Sequence, residues 1–94
     1  MTLDQFRETL AQASPPPSLS APLAALWWVA RGDWERAHAL VMDESSREAA
    51  WVHAHLHRVE GDLDNAGYWY RRAGRRAETG AIEAEWQDIA GALL

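Results

Sequence analysis

The sequence predicts an all-α domain built from αα-hairpins, and three observations carry that prediction. The first is helical spacing on both sides of Gly61. Before it Ala50, His53, Ala54 and His57 share one face, with Val52, Leu56 and Val59 beside them; after it Leu63, Ala66, Trp69, Tyr70 and Ala73 share another. The second is a repeated Gly-Asp pair, Gly32-Asp33 and Gly61-Asp62. The glycine suits the left-handed stop of one helix, and the aspartate oxygen suits the cap of the next. The third is composition: the 94 residues are rich in alanine, with no lysine, no cysteine and arginine at all nine basic positions. Such a chain favours helices, shows the habit of GC-rich bacterial genomes, and offers neither a disulfide framework nor a thiolate site.

The first helix, within residues 1–13, starts at Thr2, whose hydroxyl and the Gln5 amide form a capping box ahead of the stripe Leu3, Phe6, Leu10 and Ala13. Pro15, Pro16 and Pro17 make residues 14–19 an extended strap that folds this helix back over the rest; the other reading of the strap is a proline-rich ligand for an aromatic groove. A first hairpin occupies residues 20–43. Ser20 caps its opening helix, Pro22 is tolerated in the first turn, and Leu23, Leu26, Trp27, Trp28 and Val29 make it apolar nearly all round, the most buried element expected. Asp33 caps its return helix, where Trp34, Ala37, Leu40 and Val41 face inward and His38 lies beside them. The second hairpin, residues 45–74, opens on a Ser45/Glu48 capping box. Thr79 caps a closing helix, residues 79–94, with the stripe Ile82, Trp86, Ile89 and Leu93.

The pattern of Ala54, Gly61-Asp62, Leu63, Ala66, Trp69, Tyr70 and Ala73 resembles one tetratricopeptide repeat, and the run Asn65 to Ala73 is similar to the end of Sel1-like repeats. A shift of about 29 residues superposes Gly32-Asp33, Trp34, Ala37 and Ala25 on Gly61-Asp62, Leu63, Ala66 and Ala54, although Glu44 stands opposite Ala73. The resemblance implies an array of about two such hairpins, with an N-terminal packing helix and a C-terminal closing helix. It also implies a small protein-interaction module or adaptor with a protein or peptide partner, and short arrays with exposed ends can self-associate. In this family the first helix of each hairpin lines a concave face, which places Leu26, Val29, Trp51, His55 and Arg58 in a peptide-binding patch. The family's basic carboxylate clamp is not matched, since Pro22 and Leu26 stand where it needs polar donors.

A different class of function rests on histidine. His53 and His57 are one turn apart on one face and His38 lies on the adjoining hairpin, a spacing by which imidazoles can hold zinc or another transition metal or serve a hydrolytic site; Glu60, Asp62 and Asp43 are the orienting carboxylates to consider. The competing reading is that these are core histidines bonded to a carboxylate, a hydroxyl or backbone, with no cofactor at all. His55 points the other way. Of six tryptophans, Trp27, Trp34, Trp69 and Trp86 fall on interior stripes. Arg71, Arg72, Arg75 and Arg76 form one charge cluster, which Glu78, Glu83 and Glu85 can answer. There is no nucleophile elbow and no glycine-rich phosphate cradle. A net charge of −5 disfavours nucleic acid, and the absence of an apolar run near the roughly 18 residues of a membrane span makes a soluble, cytoplasmic chain the expectation.

Overall fold

A computed structural model describes all 94 residues and shows six helices and no strand: α1 (Leu3–Thr9), α2 (Ala21–Ala30), α3 (Trp34–Val41), α4 (Arg47–Glu60), α5 (Leu63–Ala73) and α6 (Ile82–Leu93). The two hairpins, α2–α3 and α4–α5, turn on the same local structure. Gly32 and Gly61 sit at φ 83° and 87°, where a side chain would be strained, and the following amides of Asp33 and Asp62 bond back to Trp28 O and His57 O. Each aspartate then accepts from the amide three residues on, Arg36 N or Asn65 N, both at 3.1 Å.

Helix α4 is the centre of the molecule. It packs on α5, α3, α6 and α2, and it buries an unbroken run from Val52 to His57, which corrects the expectation that α2 is the most buried element. The core gathers Phe6, Leu23, Leu26, Trp27, Val41, Val52, Leu56, Trp86 and Ile89, all but sealed from solvent. Phe6 stacks on Trp86 at 5.6 Å, so the N-terminal and closing helices meet each other; large rings supply much buried area in so short a chain. Trp27 donates to Thr9 Oγ1 at 3.2 Å and Trp86 donates to Leu26 O at 2.9 Å, which satisfies both indoles inside the fold.

Several local expectations are overturned. Helix α1 stops at Thr9, whose hydroxyl donates to Phe6 O, so Ala13 lies beyond the helix and is exposed. The strap is not extended throughout: the Leu19 amide bonds to Pro16 O and closes a turn at Pro17-Ser18. Thr79 caps nothing. The Gly80 amide is taken by the Glu78 carboxylate, and the chain enters α6 at Ala81 with no side-chain cap. Leu63 and Ile82 open their helices at corners that no other element covers, and both are exposed. The cap of α4 is Ser46, which accepts from Ala49 N at 3.1 Å, while Ser45 lies outside the helix. Ser46→Ala is therefore expected to cost about 1 kcal/mol and Ser45→Ala close to nothing, read from urea unfolding midpoints; equal losses would undo the assignment.

Candidate functional site: a covered helix face and a histidine cluster

Two constellations lie on opposite sides of α4, because residues two apart on a helix face away from each other. His55 and Arg58 look toward α6, whereas His53 and His57 look toward α3 and α5.

On the first side, α6 lies across the face formed by α2 and α4, and every residue expected in a partner patch meets it or lines a cleft with it. Leu26 is fully buried and its carbonyl takes the Trp86 indole. Val29 shares a small cleft with Ile82 and Trp86; Trp51 shares a cavity of about 420 Å³ with Ala92 and Leu93. His55 donates from Nδ1 to Glu85 Oε1 at 2.7 Å, and Arg58 donates to the same oxygen at 3.2 Å and also to Gly80 O. Tyr70 donates to Glu85 Oε2, so a carboxylate only 3% exposed is held from three sides by α4 and α5. Burial pushes the Glu85 pKa up, but the hydrogen bonds from His55, Tyr70 and Arg58, together with the Coulombic attraction of His55, outweigh it and leave the group below its ordinary value. Tyr70 is shifted the other way, upward, first by burial and then by its bond to Glu85. The face is therefore closed by the chain itself, and Leu26 and His55 are interior residues.

This buried network was missed in the sequence, although a signal was there. Glu85 falls three residues after Ile82 and four before Ile89, on the apolar stripe, where a carboxylate calls for a buried partner. The arginine cluster, conversely, is not answered as expected: Glu85 pairs with Arg58, Glu83 lies 3.6 Å from Arg7, and Glu78 turns to Gly80. Arg75 instead lies 3.3 Å over the Trp51 ring, and Arg72 donates to Tyr68 Oη at 2.9 Å.

On the second side, His38, His53 and His57 converge. His38 Nε2 and His53 Nε2 are 3.0 Å apart, and one donor nitrogen from each of the three rings lies within 4.8 Å of the others. His57 Nδ1 donates to Glu60 Oε1 at 2.5 Å, which leaves the lone pair on Nε2. The rings are fixed by stacking, His53 on Trp69 at 3.8 Å and His38 on Trp34 at 4.8 Å, while the Trp34 indole is anchored on Leu56 O at 2.6 Å. Trp34 and Trp69 are thus half-buried walls of this cluster, and Trp27 and Trp86 carry the core proper. Burial, and then the neighbouring rings, lower His53 to about 4; His38 is lowered by burial and by His57, against Glu35 and Glu60. His53 Nδ1 is buried with no partner. Asp43 and Asp62 bond to none of the three histidines, so Glu60 is the one orienting carboxylate.

Fold and sites together define an all-helical domain in which hairpins frame a polar centre on each side of α4. No protein-family model, curated protein or solved structure matches the chain. No helix is long and apolar enough to cross a membrane.

Proposed function

We propose that the protein is a small interaction module of tetratricopeptide- or Sel1-like type, whose α2–α4 face receives an amphipathic helix. The observation that carries this reading is that the face already holds one. Helix α6 is seated there by an indole on a backbone carbonyl and a carboxylate on His55 and Arg58, so the partner chemistry is an apolar stripe interrupted by one indole and one acid. A partner helix, or α6 of a second copy, displaces the resident helix. The resident competes at the high effective concentration of a tethered segment, which keeps the isolated protein closed.

The test uses the full-length chain carrying Trp86→Ala and Glu85→Gln, which weakens docking of its own α6, and a fluorescent peptide of residues 79–94. Expected is saturable binding to the variant, at least tenfold weaker binding to the unaltered protein, and loss of binding when the peptide lacks Trp86. A variant that keeps its helical circular dichroism yet ignores the peptide would refute the reading.

A further inference from the structure

We propose that His38, His53 and His57 form a binding site for one divalent transition-metal cation of the zinc class, held between the two hairpins. Three features point to a ligand rather than to packing alone. First, the donor nitrogens converge from two helices of different hairpins: His38 comes from α3, His53 and His57 from α4, and no two of these rings stand alone. A tetrahedral ion with metal–nitrogen bonds of about 2.0–2.1 Å sets its donors about 3.3 Å apart. The His38–His53 separation of 3.0 Å is already near that.

Second, His57 has the outer contact that a ligating histidine needs. Glu60 on His57 Nδ1 fixes the tautomer that keeps the lone pair on Nε2, and Trp34 and Trp69 hold the other two rings by their faces without consuming a ring nitrogen. Third, a packing role leaves the hydrogen bonding incomplete. A buried imidazole kept for structure has its nitrogens paired, whereas the Nε2 of His53, a ring only 3% exposed, meets only another imidazole; its Nδ1 is unpartnered with or without an ion.

All three donors are neutral nitrogens and the chain has no cysteine, so the site favours zinc, cobalt, nickel or copper over calcium or magnesium, which take oxygen ligands. The three rings would supply three of the four donors of a tetrahedral ion.

The experiment takes untagged full-length protein, stripped with EDTA at pH 7.5, and titrates it with zinc chloride by calorimetry and with cobalt chloride by visible absorption. Expected are one equivalent bound, an intense tetrahedral cobalt spectrum, and a melting temperature that rises by several degrees with zinc and returns with EDTA. His57→Leu should weaken zinc binding at least a hundredfold. Should that variant fail to fold, His38→Gln on the half-exposed ring gives the same reading with at least a tenfold loss. Absence of stoichiometric binding, or binding that survives both substitutions, would overturn the site.

Discussion

Glu85→Ala is expected to lower the stability of the protein by about 3–5 kcal/mol, the cost of breaking a buried charge pair by removing one partner. The carboxylate is 3% exposed and accepts from His55, Arg58 and Tyr70. Its loss strands a ring nitrogen of His55 and the hydroxyl of Tyr70, and leaves the largely buried guanidinium of Arg58 with the Gly80 carbonyl but no counter-charge. For a chain of this length about 3 kcal/mol corresponds to a drop in melting temperature of more than about 10 °C. Glu85→Gln keeps the volume and part of the hydrogen bonding, so it should fall between the alanine variant and the unaltered protein. The same network responds to acid. Because the folded Glu85 pKa is below its ordinary value near 4.5, the folded state binds fewer protons than the open chain there. Its stabilisation is complete above about pH 4.5 and is lost as pH falls from there toward the folded value, which loosens α6 from α4. Urea unfolding monitored by tryptophan fluorescence checks both statements; a loss under about 1 kcal/mol for Glu85→Ala would mean that the network is solvated.

What could be read from the residues divides by range. The corners at Gly32-Asp33 and Gly61-Asp62 and the capping box of Thr2 and Gln5 are set by residues within three or four positions, and the structure keeps all of them. The apolar periods around those corners likewise announced the hairpins. Boundaries failed where two candidates competed locally. Ser45 and Ser46 stand side by side, and only the path of the preceding loop decides which one reaches an amide. Thr79 lost to a turn that Glu78 makes with Gly80.

Long-range matters were less legible. The five residues expected in a partner patch lie on the side where α6 packs, but whether that face stays open depends on where α6 lands some 30 residues later in the chain, and periodicity does not encode that. The polar clue, an acid on the stripe of α6, needed a partner before it meant anything, and His55 had already been set aside as pointing away from the other histidines. It does point away, onto Glu85. The convergence of His38 with His53 and His57 was foreseeable from one turn of spacing plus an adjoining hairpin. The stacking on Trp34 and Trp69 was not, because helical wheels place rings on faces without saying how their planes meet.

The metal-free protein is expected to lose about 2 kcal/mol of stability between pH 7 and pH 5, through His53. Packed on Trp69 and facing His38 and His57, its ring resists a charge, chiefly because burial denies it water and then because a second and third imidazole stand beside it. The carboxylates nearest the cluster, Glu60 on His57 and Glu35 near His38, act on those rings and not on His53. With a folded pKa of about 4 against 6.5 in the open chain, the unfolded state binds the extra proton first, so stability is complete above about pH 6.5 and erodes as pH falls toward 4. The full difference is about 3 kcal/mol, of which roughly two thirds is lost by pH 5, before Glu85 begins to titrate. His53→Leu removes one titrating group, so its urea midpoint should slope clearly less over that interval than that of the unaltered protein, the remainder coming from His38. A flat profile in both would mean that the ring is hydrated in the folded state. An undiminished slope in His53→Leu would move the titration to another group of the cluster.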